Sequence, residues 1–253
     1  MPFVDVNRPR FLRLAYKAAT LDHARYNIGT YKEKTLHLVL KNYFSESRTE
    51  QEVPLGGYIA DIYRTDEGII EIQTSGFASM KDKLEAFLPL YPVTIVYPIP
   101  KVKWVSWIEP ESGEIGKRNR SPKTGKFFDV IPELIFIKDY LKNPNLTVRA
   151  VLLEIDEYRM LNGRRSLSRK RGSTRFERIP VDLFEIYDFK KPADYISLLP
   201  FDAAAEFTAS ELSSAFKFRG RDVSAMIRVL MEVGAIERIG KRGRSYVYRI
   251  SDK

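Results

Sequence analysis

The chain has 253 residues with 42 Lys plus Arg against 33 Asp plus Glu, a formal charge of +9 and a pI near 9.5. Zero Cys excludes disulfides, thiolate nucleophiles and Cys-ligated zinc or iron–sulfur centres, and the two His, His23 and His37, leave almost no material for a Ser-His-Asp triad or a multi-His zinc site. A composition of 44% hydrophobic and 30% charged residues is that of an ordinary globular protein, and no apolar run approaches the ~20 residues of a membrane helix.

Asp5, Arg8, Arg10 and Arg13 stand where a secretory apolar segment would lie, so the expectation is a cytoplasmic protein without a signal peptide. Residues 1–30 read as a mixed, basic and partly helical lead-in. Within residues 31–44, Leu36, Val39, Leu40 and Tyr43 recur at helical spacing, which predicts an amphipathic helix. Residues 58–63 and 69–74 are short β-branched and aromatic runs around Thr65-Asp66-Glu67-Gly68, which predicts a β-hairpin. Residues 79–90 return to a helical pattern, with Met80, Leu84, Phe87 and Leu88 on one face and Pro89 and Pro92 at the end. Residues 93–99 are nearly all apolar, as in a strand buried on both faces.

Farther on, residues 102–108 and 113–118 predict a second hairpin about Gly113. Residues 129–142 predict a helix despite Pro132, and residues 147–155 a strand. Residues 163–178 form a basic stretch, and Lys190-Lys191-Pro192 reads as a linker. Residues 194–253 read as a separate unit. Thr208-Ala209-Ser210-Glu211 is a capping box that starts a helix to about Phe216. A second helix is expected near 222–233, stopped by Gly234. Two strands, 236–239 and 246–250, flank Gly240-Lys241-Arg242-Gly243-Arg244. Helix, turn, helix and basic hairpin in this order resemble the winged-helix family.

The first hairpin carries the chemistry. With Arg64 and Gly68 flanking its loop, Asp61 falls directly opposite Glu71, their Cβ atoms about 5 Å apart on one face. Gln73 and Ile59 share that face, while Ala60, Ile62, Ile70 and Ile72 form the apolar one. Two opposed carboxylates repel, and a divalent cation between them reverses the sign of that term. Mg²⁺ suits such a place, since it takes one or two carboxylates and completes its shell with waters and phosphate oxygens. The ordinary alternative is a solvated hairpin face that holds no metal.

Helix, antiparallel strands with Asp61 and then Glu71-Ile72-Gln73, second helix and buried strand over residues 31–99 resemble the PD-(D/E)XK nuclease superfamily. The resemblance implies a restriction-endonuclease-like α/β (α+β) fold, a mixed sheet flanked by helices. It also implies hydrolysis of DNA by water activated on Mg²⁺ or Mn²⁺. Asp61 and Glu71 match its metal ligands. Glu33 matches a first-helix Glu of some members, and Glu52 an acidic residue on the first strand of others. Gln73 stands at the superfamily's Lys position, as it does in some restriction enzymes. Members whose Lys moves to the following helix point to Lys83 or Lys81. Ala60 replaces the Pro that often precedes the Asp. The expected organisation is a nuclease-like domain over 1–190, with its core at 31–99 and an extension at 100–190, followed by a winged helix at 194–253.

Residues 116–126 hold five basic and no acidic residues, namely Lys117, Arg118, Arg120, Lys123 and Lys126. Residues 163–178 hold seven basic residues, including Arg169, Lys170, Arg171, Arg175 and Arg178, against Glu177. This segregation predicts a phosphate-contacting surface, with two solvated loops as the alternative. Contact with about six phosphates would give a salt slope near −5. In the winged helix, Arg221, Ser224 and Arg228 on the second helix and Lys241, Arg242 and Arg244 at the wing tip are the expected DNA contacts. Trp104 and Trp107 read as core, His23 as structural, and His37 as a surface partner of Glu33 one helical turn earlier, with a Glu33/His37 metal pair as the alternative. DNA is the expected partner, with RNA and homodimer formation left open. Two rival readings remain. One is a catalytically inactive nuclease-fold DNA-binding regulator. The other is an interaction protein docking through its winged helix.

Overall fold

The computed structural model describes residues 2–23, 34–165, 171–218 and 220–251. Its main sheet has eight strands: β1 (Phe3–Val4), β2 (Gln51–Leu55), β3 (Tyr58–Arg64), β4 (Gly68–Ile72), β5 (Val93–Ile108), β6 (Asn119–Arg120), β7 (Leu146–Arg165) and β8 (Arg171–Phe189). Their order is β1-β8-β7-β5-β4-β3-β2, with β6 beside β5. The β4–β5 and β5–β7 pairs are parallel and the others antiparallel, so the sheet is mixed.

Helices cover both faces. On one, α1 (Arg8–His23) and α2 (Thr35–Phe44) bring Phe11, Leu36, Val39 and Leu40 onto Ile62, Ile70, Ile72 and Val96. On the other, α3 (Lys81–Phe87) and a 3₁₀ segment, Phe127–Tyr140, bring Leu84, Phe87, Val130 and Leu134 onto Ile69, Val93 and Ile95. Successive side chains of a strand point to opposite faces, so Ile69 and Ile70 serve different layers. All of β4 is buried, Glu71 included, and its three isoleucines serve both layers. The mixed α/β class expected from the residues is the one observed, and the first hairpin has the expected register, Ile62↔Ile70 and Arg64↔Gly68.

Other expectations are redrawn. The runs 93–99 and 102–108 form one strand, β5, which passes Pro98 in regular register and continues beyond Pro100 through a register shift before Val102. The expected second hairpin survives in part, as an Ile108↔Ile115 bridge and a Trp104↔Arg120 pair. The helix expected at 129–142 is 3₁₀ and is broken at Ile137. Arg171 and the residues after it belong to β8, paired along β7, so this part of the basic stretch is strand and not loop. Arg169 and Lys170 lie outside the described residues.

The C-terminal unit comprises α4 (Pro192–Ile196), β9 (Glu206–Thr208), α5 (Ala209–Phe216), α6 (Arg221–Glu232), β10 (Ile236–Arg242) and β11 (Ser245–Ile250). Its three strands run in the order β10-β11-β9. The capping box forms as expected. Thr208 Oγ1 accepts from Glu211 N–H at 3.4 Å, and Glu211 Oε2 accepts from Thr208 N–H at 2.6 Å. The unit shares its core with the main sheet. Leu212, Met226 and Leu230 join the cluster of Phe128 and Val130, and the Phe128 and Phe216 rings lie 4.2 Å apart. Among the described residues no helix is long and apolar enough to cross a membrane.

Candidate functional site

The β3–β4 ladder of residue pairs stops at Ile62↔Ile70. One position further, side chains take over from backbone. Ile72 N–H donates to Asp61 Oδ2 at 2.8 Å, and Asp61 N–H donates to Glu71 Oε1 at 3.3 Å. Each carboxylate therefore sits against the other's strand. Helices from the two layers reach the same fork. His37 of α2 brings Nε2 to 3.2 Å from Asp61 Oδ2. Lys83 of α3 donates to Glu71 Oε2 at 2.8 Å and to Ile59 O at 2.7 Å.

These contacts split the acidity of the pair. Burial acts to raise the Asp61 pKa. The hydrogen bond and charge of His37, the Ile72 N–H and the Lys83 charge outweigh it and hold Asp61 below the usual carboxylate range. Burial and the adjoining Asp61 charge push Glu71 up, against the opposing pull of Lys83. The Glu71 side chain is 4% exposed, whereas Lys83 is 25% and Asp61 and His37 are each 21% exposed, so Glu71 is the enclosed member of the cluster.

Among the described residues no group of three or more His, Cys, Asp or Glu is placed to hold a metal ion. Asp61 and Glu71 instead offer two oxygen-donor groups, the number Mg²⁺ accepts when waters and phosphates complete its shell. Two carboxylates are too few for an all-protein cage, and Asp61 Oδ2, Glu71 Oε1 and Glu71 Oε2 already accept hydrogen bonds.

The remaining candidates separate. Gln73 commits Nε2 to Gly76 O at 2.7 Å and Ser79 Oγ at 3.3 Å, so its amide donors serve the turn before α3. Lys83, and not the exposed Lys81, reaches the pair. Glu52 is exposed on β2, where Lys41 Nζ donates to it at 2.9 Å. Glu33 lies outside the described residues. The contact of His37 with Asp61 was not apparent from spacing, because its partner stands 24 positions away.

Among the basic residues, Lys117 and Arg120 are exposed. Arg118 lies over the Trp104 ring at 4.0 Å and donates to Asp156 at 2.8 Å. Trp104 and Trp107 are half-buried and not core, because β5 has run past the helical layers, and Trp104 donates to Glu154 at 2.7 Å. Arg221, Ser224 and Arg228 form an exposed stripe on α6. Arg242 stands 3.6 Å from Glu206 and 3.5 Å from Glu211, while Lys241 lies over Tyr246 at 5.1 Å. Arg244 is exposed in the β10–β11 turn.

The fold is thus a mixed α/β sheet layered by helices on both faces, with a carboxylate pair at the fork of β3 and β4. The chain belongs to the family described as "Domain of unknown function (DUF8091)", whose model matches residues 34–190. It is also similar to an uncharacterized protein of Treponema pallidum (strain Nichols), 29% identical over 222 residues, which covers 88% of this chain and 87% of that one. No solved structure gives a significant match.

Proposed function

We propose that the protein is a cytoplasmic, metal-dependent nuclease-like protein of the PD-(D/E)XK type. It hydrolyses DNA phosphodiester bonds, and its C-terminal unit serves as a winged helix that contacts DNA. The supporting observation is the reciprocal seating of Asp61 and Glu71 on each other's strands with Lys83 on Glu71. Mg²⁺ or Mn²⁺ bound there would polarise a phosphodiester and acidify a water. Asp61, held ionised, is the standing anionic ligand. Glu71 is the second ligand, oriented by Lys83 and by the Asp61 N–H. Lys83 also supplies the positive charge that Gln73 lacks. The exposed stripe of α6 and the tip around Lys241 and Arg244 would meet the duplex.

The test is cleavage of supercoiled and linear DNA with Mg²⁺ or Mn²⁺. Cleavage by the wild type, lost in Asp61→Ala and in Glu71→Ala, supports the reading. Cleavage unchanged in Asp61→Ala contradicts it.

A second reading rests on the charge balance. Lys83 already faces Glu71 and His37 already faces Asp61, so the pair persists without a metal. In that case the protein is a catalytically inactive DNA-binding regulator, and it binds DNA with no response to divalent ions. Absent or salt-independent DNA affinity would favour the third reading, protein docking through the winged helix.

A further inference from the structure

A second polar cluster lies just beyond the carboxyl end of β4. Arg178 of β8 is 8% exposed, and its Nη2 donates to Thr74 O at 2.9 Å, three residues past Glu71. Its Nε is buried and has no hydrogen-bond partner among the described residues. A buried donor left unpaired is costly and calls for an acceptor. Across the β7–β8 ladder from Arg178 stands Glu157, which is 2% exposed. Three further cations surround this carboxylate: Arg159 Nε at 2.6 Å, Arg175 Nε at 3.6 Å and Lys103 Nζ at 3.9 Å.

Among the described residues, Arg159, Arg175 and Lys103 thus gather on Glu157 beside Arg178, while Glu177 accepts the Arg178 backbone N–H at 2.7 Å. Burial, and then the Arg175 charge, pull Arg178 below the ordinary guanidinium range. Lys103 is lowered by burial and, despite Glu157, by Arg159 and Arg175. The cluster also opens to solvent, since the Arg175 side chain is 45% exposed and that of Arg159 is 32% exposed.

We propose that Arg178, Arg175, Arg159 and Lys103 form a seat for a phosphate group, with the unpaired Arg178 Nε–H as its buried donor. Guanidinium N–H groups match phosphate oxygens in geometry and charge. Glu157 holds the cations together against their mutual repulsion. The occupant is a backbone phosphate of a nucleic-acid strand, because Thr74 ties the seat to the chain that leaves Glu71. The assignment of that occupant rests on the nucleic-acid reading above, but not on retained cleavage.

The test uses the full chain without divalent metal. Binding of a fluorescent oligonucleotide is followed by anisotropy over a range of salt, and binding of inorganic phosphate by titration calorimetry. Arg175→Gln is expected to weaken oligonucleotide binding severalfold and to make the salt slope shallower by about 1, while Arg175→Lys keeps the slope. Arg178→Gln gives the same loss, and its melting curve reports whether it folds. Undiminished oligonucleotide binding in Arg175→Gln overturns the seat and leaves the nucleic-acid reading standing. Phosphate binding lost in Arg175→Gln, with no oligonucleotide binding by the wild type, supports the seat with free phosphate as its source and overturns the nucleic-acid reading. Binding of neither probe overturns both.

Discussion

Asp61 and Glu71 are chemically alike, and their surroundings make them unlike. Asp61 is lowered in the folded state, so it contributes stability above its ordinary value near 3.8, and that contribution is lost as pH falls through the folded value. Glu71 is raised, so its contribution has the opposite sense. It is present below the ordinary value near 4.5 and is lost as pH rises through the folded one. Urea melts without metal therefore predict different pH trends. Asp61→Asn should cost more stability at neutral pH than at about pH 3. Glu71→Gln should gain on the wild type as pH rises, because it removes a carboxylate that is hard to ionise. Equal effects of the two substitutions across that range would contradict the split. The positions of both carboxylates were legible in the residues, since turn and alternation set their register. The role of His37 was not, because only the folding of α2 onto the sheet brings it to Asp61.

At the scale of elements, the site depends on a hairpin and a helix. Gly68 closes the β3–β4 turn at φ +84°, and a Cβ there would lie 2.4 Å from Pro92 O. Gly68→Ala should destabilise the protein by about 1–3 kcal/mol, as read in a denaturant melt, because it combines a left-handed backbone with a clash. Leu84 anchors α3 with no exposed surface, and the helix carries Lys83 to Glu71. Leu84→Ala should cost about 2–5 kcal/mol. Hairpin and helix were both readable, as a period of two and a period near 3.6. The length of β5 was not. Pro98 and Pro100 look like terminators, yet Pro98 keeps regular register with Val151, and the pairing with β7 shifts only after Pro100. Residues 127–140 carry the apolar spacing of a helix, but Pro132 and the break at Ile137 leave them in 3₁₀ form.

Across the whole molecule, the chain reads as two pieces at Pro192 but packs as one. Local composition marks the linker, whereas the continuity of the core depends on contacts distant in sequence, such as Phe128 with Phe216. Removing residues 194–253 would strip the 3₁₀ segment of α6 and expose Phe128 and its apolar neighbours. The truncated chain should melt at a lower temperature and aggregate, and an undiminished melting temperature would refute the shared core. Charge is as unevenly spread in space as in sequence, with the Arg178 cluster near the carboxylate pair and exposed cations on α6 and the β10–β11 turn. Any DNA affinity should therefore fall steeply with salt. Calorimetric titration of Mn²⁺ into the full chain is the most direct test of the divalent-cation site proposed at the fork of β3 and β4. Saturable binding in the wild type, abolished in both Asp61→Ala and Glu71→Ala, is the predicted result. Binding that persists in both variants, or no binding by the wild type, would contradict it.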